Sequence, residues 1–268
     1  MSFYNVEMDG SVAIMRLERP PVNALAKQVY IDLMDTLKTL EDDDNVRVVI
    51  MTGSPKVKAM IGGADLNEFM ELDYDSRLKR FETVDEAFDK LEKFTKPLLG
   101  VANGPTVGAG VAMLSLCDIR LASDTATFLI PEIDRGVMAA HLPMMKKLGV
   151  PSGIIKEWIF TCRRFNVYEA HYHKFIDYVY PPDDLLPNAL RLAQKIAAKS
   201  KDALRFQKLY FIESEQLSWS DAYKKSHEYS AILTSGTNSK EGISAFLHKR
   251  IPNYKESDGA IKKATDVI

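Results

Sequence analysis

The sequence predicts an α/β core followed by a mostly helical C-terminal region. Compact β-branched runs such as "VRVVIMTG" (46–53) and "PLLGVANG" (97–104) alternate with long amphipathic stretches, and from about residue 139 helical periodicity takes over. With 268 residues, 46% of them hydrophobic, the chain can bury one large core or a core plus an appendage. We divide it into an α/β core over 1–200 and a helical C-terminal region over 201–268.

Taken in order, "FYNVEM" and "SVAIMRLE" (11–18) flank Asp9-Gly10 and read as a β-hairpin. "VYIDLMDTLKTLEDDD" (29–44) sets Tyr30, Leu33, Met34, Leu37 and Leu40 at helical spacing with acids between them, the pattern of a helix buried along one face. The 46–53 run, apolar at almost every position, predicts a strand covered on both faces. A helix from about Asp73 to Phe94 ends at Lys96-Pro97, and the 97–104 run is the next buried strand. A short helix from Ala109 to Leu116 then precedes two short strands, "DIRLAS" (118–123) and "ATFLIPE" (126–132). Beyond residue 139 the segments opening at Leu142, Gly153, Val167, Leu185, Asp202, Trp219 and Ser239 read as helical, with "IDYVY" (176–180) as a strand among them. Leu186, Leu190, Ala193 and Ala197 make an apolar stripe on one of these helices. "EDDD" (41–44) is a helix end and turn, although acids at a helix C-terminus are mildly unfavourable.

The 35 basic and 37 acidic residues nearly cancel and no Lys/Arg stripe stands out, which sets nucleic-acid binding aside. Cys117 and Cys162 lie outside any C-x-x-C, which fits a reducing, cytoplasmic setting better than a disulfide framework or a zinc knuckle. His171 and His173 would point to different faces of a helix, so no metal site is expected. The N-terminus reaches acidic residues without a basic start and apolar run, and no stretch nears the roughly 18 apolar residues of a membrane span. Neither a secretory leader nor a membrane partner is expected.

"NGPTVGAGVAMLSLCDIRLA" (103–122) packs Gly104, Gly108 and Gly110 ahead of an apolar helix. A Walker loop would need Gly-Lys-Ser/Thr, and Met113 stands where a dinucleotide fingerprint needs its third glycine. What remains is a turn of exposed backbone N–H groups at a helix start, able to polarise a carbonyl oxygen and hold the negative charge that develops on it. A single donor would be poor. "KAMIGGADLNEF" (58–69) supplies a second turn, with Gly62 and Gly63 ahead of a helix start that leaves N–H groups of Ala64 or its neighbours without a helical acceptor.

These strings resemble the signatures of the crotonase, or enoyl-CoA hydratase/isomerase, superfamily. The first is similar to F-x-A-G-A-D-[IL], and "NGPTVGAG" with the following "CDIRLAS" and "ATFLIPE" is similar to the family's second signature. "RPPVNAL" (19–25) and "EGISAFLHKR" (241–250) are similar to its N- and C-terminal motifs, so four motifs in the family's order span nearly the whole chain. The resemblance implies a crotonase-like spiral of β-β-α repeats with a helical C-terminal trimerisation region, assembled as a homotrimer or a dimer of trimers. It implies an acyl-CoA thioester as substrate, with coenzyme A as part of that substrate and no separate cofactor. It also implies a thioester enolate held between two backbone N–H groups. Matched position by position, Ala64 and Ala109 are those donors, and Gly62, Gly63, Leu66, Gly108 and Gly110 belong to the loops around the substrate. Asp65 either touches substrate or caps and orients its loop. Ala109 stands where glycine is commoner, which a negative φ accommodates. Ala24 and Ala64 would sit near the adenine, and Phe246 and Lys249 would serve the nucleotide end, from this subunit or a neighbour.

The catalytic carboxylates are where the chain departs from the family. By the same resemblance, a hydratase positions one water with two glutamates; the first would stand at Ala112, and the second is retained as Glu132 after the proline of "FLIPE". One carboxylate can still take a proton from one carbon and return it to another, as the family's enoyl-CoA isomerases do. Downstream, Ala139 and Ala140 replace a proline and a glycine of the family pattern, and His141 enters as a further candidate acid-base or substrate-orienting group. Asp134 or Arg135 is placed to meet a polar acyl substituent. The expectation is an enoyl-CoA isomerase or hydratase type with a single catalytic glutamate. The alternatives are an acyl-CoA hydrolase, decarboxylase or carbon-carbon lyase using His141, or a catalytically silent CoA-ester binder.

Overall fold

A computed structural model of the chain describes residues 2–140 and 142–254. In chain order the elements are β1 (Tyr4–Asp9), β2 (Val12–Leu17), α1 (Lys27–Asp42), β3 (Val48–Gly53), α2 (Leu66–Met70), α3 (Tyr74–Glu92), β4 (Leu98–Ala102), β5 (Thr106–Val107), α4 (Ala109–Ser115), β6 (Ile119–Ser123) and β7 (Thr127–Leu129). There follow α5 (Leu142–Lys147), α6 (Ser152–Thr161), β8 (Phe165–Asn166), α7 (Val167–Tyr172), β9 (Tyr178–Tyr180), α8 (Pro182–Ala197), α9 (Lys201–Ser214), α10 (Trp219–Ser235) and α11 (Thr237–Leu247). The large sheet runs β1-β2-β3-β4-β6-β9, antiparallel only in the opening hairpin, and β5, β7 and β8 form a small second sheet.

Period-two alternation along the strands builds two apolar layers. Val12, Ile14, Val48, Ile50, Leu99, Val101 and Leu121 pack on one side with Leu185, Ala189 and Ala193 of α8. Ala13, Met15, Val49, Met51, Leu98 and Ala102 face the other side, with Leu33 and Leu37 of α1 and Leu91 of α3. Covering on both faces is why β3 is apolar at successive positions, and all six of its residues are buried. On α8 the buried stripe is Leu185, Ala189, Ala193 and Ala197, one position round from the Leu186 and Leu190 read from spacing, which are partly covered. The small alanines let the helix axis lie close to the sheet while the leucines flank the contact. The strands β5 and β8, two residues each, are too short to leave a periodic signal.

The acids at 41–44 tether neighbouring elements. Glu41 accepts from Lys90 Nζ at 2.6 Å and from the Thr95 N–H at 3.0 Å, and Asp44 pairs with Lys201. Buried Lys96 donates Nζ to the carbonyls of Leu40 and Asp43 at 2.6 Å, closing the C-terminal end of α1; burial pulls its ammonium down to about 8. In the C-terminal region α10 packs on α9 and α11, with Phe206 and Tyr229 at the centre. Phe211, Trp219, Tyr223, Phe246 and Leu247 stay exposed there. Among the described residues no helix is long and apolar enough to cross a membrane.

The connections leaving the carboxyl ends of β3, β4 and β7 are the ones that matter for chemistry, as in other parallel α/β sheets. The first is held by Asn23, which is fully buried at φ +56°. Its Nδ2 donates to the carbonyls of Ala59 at 2.9 Å and Met60 at 3.0 Å, and its Oδ1 accepts the Arg19 N–H at 2.7 Å. Asparagine tolerates this left-handed backbone better than most residues. Asn23→Ala should destabilise the fold by about 2–4 kcal/mol in chemical denaturation, because it strands two buried carbonyls and keeps a β-carbon at positive φ. Asn23→Gly, which relieves the backbone only, should recover about 1 kcal/mol of that loss.

Candidate active site

Backbone register brings the two glycine turns together. Ile61 bridges Thr106 in parallel, with the Val107 N–H donating to the Ile61 carbonyl at 2.9 Å and the Met60 N–H to the Pro105 carbonyl at 3.0 Å. Just past this bridge both segments turn, at Gly63 and at Gly108, each at positive φ, and Ala64 and Ala109 follow directly. On the opposite flank β5 pairs with β7 in parallel, Val107 opposite Leu129, and the Gly108 N–H donates to the Leu129 carbonyl at 2.9 Å. Glu132 therefore arrives beside the same turn.

The N–H of Ala64 is directed by a second parallel bridge, to Leu25. The Leu25 N–H donates to the Gly63 carbonyl at 2.7 Å and the Leu25 carbonyl accepts from the Asp65 N–H at 3.1 Å. Both bonds step across Ala64, so its own N–H faces away from Leu25. Ala109 opens α4, and a first-turn N–H has no acceptor inside its helix. Both alanines line a cavity of about 250 Å³. Gly108 makes the turn at φ +53°, which leaves Ala109 outside the positive-φ region. A β-carbon on Gly108 would also lie 2.7 Å from Glu132 Oε1, so glycine is demanded both by the backbone and by the carboxylate packed against it.

The rest of the wall is mostly apolar, with Leu66, Phe69, Phe81, Val84, Phe88 and Met138. Ala112, 3% exposed, lines the cavity at the position where the sequence motifs lead one to expect a second carboxylate. Tyr30 also reaches it, and burial pushes its phenol up to about 12, so it remains a neutral hydroxyl. Buried Arg80 donates Nε to Glu68 at 2.9 Å and Nη2 to the Leu25 carbonyl at 2.9 Å, with its guanidinium 4.6 Å over the Phe69 ring. Arg80 thereby braces the segment that orients Ala64.

Of the residues singled out from the sequence, Gly62, Gly63, Ala64, Leu66, Gly108, Ala109, Glu132 and Arg135 line the cavity. Gly110 packs behind it against Ile61, where a β-carbon would meet Ile61 Cβ at 2.7 Å. Asp65 caps α2 by accepting the Asn67 N–H at 3.1 Å and pairs with Arg19 at 2.7 Å. The hydrogen bond from Arg19 holds its carboxyl below the usual aspartate range. The Ala24 carbonyl accepts from Arg19 Nη1 at 2.9 Å. Phe246 on α11 and Lys249 just beyond it are exposed and take no part in lining this cavity. His141 lies outside the described residues. Cys117 is buried, which pushes its thiol up to about 12; His171 Nδ1 meets the Ile176 carbonyl at 2.9 Å, and His173 packs edge-on against Trp158.

Tyr30, Arg80 and Phe88 went unrecognised in the sequence because helical periodicity marks a buried side without telling whether protein or a cavity covers it. Arg80 left one trace, a charge on the stripe it shares with Val84, Ala87 and Leu91 of α3. The Arg19–Asp65 pair spans 46 residues and left none.

A sequence profile of the family described as enoyl-CoA hydratase/isomerase matches residues 7–257. The chain belongs to the enoyl-CoA hydratase/isomerase family. It is 30% identical over 257 residues to the 2,3-dehydroadipyl-CoA hydratase of Escherichia coli K12, covering 95% of this chain and 99% of that protein. It is 28% identical over 263 residues to the crotonyl-CoA hydratase of Syntrophomonas wolfei, with coverage of 95% and 99%. A crystal structure of an enoyl-CoA hydratase from Bacillus anthracis superposes with a TM-score of 0.90 at 25% identity, covering 96% of this chain and 100% of that one. The hydratase/isomerase fold expected from the motifs is therefore the fold of this chain.

Gly108→Ala should leave a folded protein whose kcat falls at least tenfold with little change in KM, since the new β-carbon displaces Glu132 and strains the donor turn. Asp65→Asn keeps a capping side chain and removes the charge facing Arg19, at a cost of about 1 kcal/mol or less for a partly exposed pair. The depressed carboxyl fixes the sign of its pH dependence. The difference between wild type and variant should be full above pH ~4, the ordinary aspartate value, and should vanish in thermal melts as pH falls further, through the lowered value.

Proposed function

We propose that this chain is an acyl-CoA enzyme of the enoyl-CoA isomerase type, which carries a thioester enolate on two backbone N–H groups and moves one proton with one carboxylate. The supporting observation is the shared register of the 61–64, 106–109 and 128–131 segments, which gathers Ala64, Ala109 and Glu132 around one cavity with Ala112 in its wall. In the proposed reaction the thioester oxygen accepts from the Ala64 and Ala109 N–H groups. Glu132 removes a proton from the carbon beside the thioester carbonyl, the C–H electron pair spreads into a dienolate, and the oxygen takes the charge. The same proton returns from Glu132 to the far carbon of that dienolate, shifting the double bond with no gain or loss of atoms. Each donor of this kind contributes roughly 10²–10³ in rate when it is aimed at the developing charge rather than at the ground state.

The names of the hydratase relatives support an enoyl thioester as substrate; in the reaction proposed here coenzyme A belongs to that substrate and no separate cofactor takes part. Those names do not favour a hydrolase, decarboxylase or lyase. Ala112 is the reason for preferring isomerisation to hydration, because an alanine cannot hold or activate a water. Hydration assisted by Glu132 alone is the second reading, favoured by those same names. The exposed Phe211, Trp219, Tyr223, Phe246 and Leu247 in the last three helices support a homotrimer or dimer of trimers, in which Phe246 and Lys249 would serve the nucleotide end of a neighbour's substrate. We place the enzyme in the cytoplasm, on the reading of its two isolated cysteines.

Glu132→Gln should abolish turnover while affinity for a saturated acyl-CoA changes less than threefold. Mass spectrometry of the wild-type product should show an isomer of unchanged mass; gain of one water would replace isomerisation by hydration, and full activity in the variant would remove Glu132 from the mechanism.

A further inference from the structure

The peptide unit that carries the Ala64 N–H also carries the Gly63 carbonyl, and that carbonyl accepts the Leu25 N–H at 2.7 Å. The Leu25 N–H in turn shares its peptide unit with the Ala24 carbonyl, which accepts from Arg19 Nη1 at 2.9 Å. In a trans peptide the C=O and N–H point in opposite directions, so a bond received at one end is passed on at the other. Three donors therefore stand in line: the Arg19 guanidinium, the Leu25 amide and the Ala64 amide. The Leu25 carbonyl, which Arg80 holds, belongs to the next peptide unit and lies outside this line. Leu25 is fully buried, so water does not screen the middle of it.

We infer that Arg19 is a positioning residue for the oxyanion site, and that it strengthens the Ala64 N–H as a donor by polarising two successive peptide units. This rests on the reading of Ala64 as a donor to the thioester oxygen. A bond accepted at a peptide carbonyl draws electron density away from the N–H of the same unit, a gain of roughly 10–30% per link in a chain of hydrogen bonds. A charged donor at the head gives the largest pull, because a bond from an ionised group is about twice as strong as a neutral one. The two alanine donors are thereby polarised by different means. The Ala109 peptide is bonded at its Gly108 carbonyl by the Val111 N–H at 2.8 Å, within its own helix. Ala64 lies outside α2 and takes its pull from Arg19. Asp65 moderates that pull, since its carboxylate pairs with Arg19 Nη2 at 2.7 Å and offsets part of the guanidinium charge. Arg19 and Asp65, members of one ion pair, thus act in opposite senses on one amide.

The test reads the thioester carbonyl directly, by difference infrared spectroscopy of a saturated acyl-CoA, labelled with carbon-13 at that carbonyl and bound to the full-length protein. Wild type should lower the stretch of the bound ester below that of the free one. Arg19→Gln, which removes the charge, should raise the bound stretch, and Asp65→Asn, which removes the opposing charge, should lower it further. A loop merely loosened would move both variants upward, since each breaks the same pair. In turnover of the matching enoyl ester, kcat of Arg19→Gln should fall about three- to tenfold with KM within twofold, a fraction of the roughly 10²–10³ that a whole donor supplies. Arg19→Lys keeps a charge but has no fork to reach Asp65 and the Ala24 carbonyl together, and should fall between Arg19→Gln and wild type in both measurements. Shifts of the same sign in Arg19→Gln and Asp65→Asn, or no shift in either, overturn the relay. The reading of the site fails separately, if the ester bound to wild type keeps the stretch of the free one. The relay is then still read in the ligand-free protein, where Arg19→Gln should move the nitrogen-15 resonance of the Ala64 amide upfield, and an unmoved resonance overturns it.

Discussion

Two stretches of chain that lie side by side in parallel register, 60–64 and 105–109, are the constraint on which the rest of the site depends. Their backbone bonds, Met60 to Pro105 and Val107 to Ile61, fix the relative height of the two turns to within the tolerance of a hydrogen bond. Side chains could not do this as economically, because each would bring its own rotamers. An oxygen that gathers charge during a reaction needs donors already aimed at it, so that nothing must reorganise when the charge appears. In the proposed reaction main-chain amides set by register would meet that need without any charged residue in either turn. The apolar wall around them keeps the local dielectric low and strengthens whatever they bind.

The register would slip without supports outside the cavity. Asn23 holds the Ala59 and Met60 carbonyls from below, Arg19 joins the Ala24 carbonyl to Asp65, and Arg80 joins the Leu25 carbonyl to Glu68. Leu25 in turn brackets Ala64. Three polar side chains from two separate parts of the chain thus converge on one segment of ten residues, 59–68. For Arg19 and Arg80 the contribution is placement more than stability, since such an ion pair recovers little beyond its desolvation cost, whereas the buried hydrogen bonds of Asn23 also stabilise the fold. Gly108 is the counterpart on the other turn, where the absence of a side chain lets backbone and carboxylate meet.

A shared fold does not dictate a shared reaction. In this chain the wall of the cavity beside Glu132 carries an alanine, Ala112, which offers no group to hold a water, so under the proposed mechanism the reaction turns on a single side chain of an otherwise shared frame.

Much of this was legible in the sequence. The order of strands and helices followed from apolar periodicity, because a strand covered on both faces and a helix covered on one leave different spacings. The two glycine turns and Glu132 followed from motifs, because a backbone at positive φ next to a carboxylate admits one residue type at Gly108. The helix α8 shows the limit: periodicity located it, but which side faced the sheet depended on how closely alanine lets two elements approach. The cavity wall and the Arg19–Asp65 and Arg80–Glu68 pairs were decided only in three dimensions. Each joins positions far apart in the chain, or turns on whether a buried side chain meets protein or empty space, and a one-dimensional pattern records burial but not what does the burying.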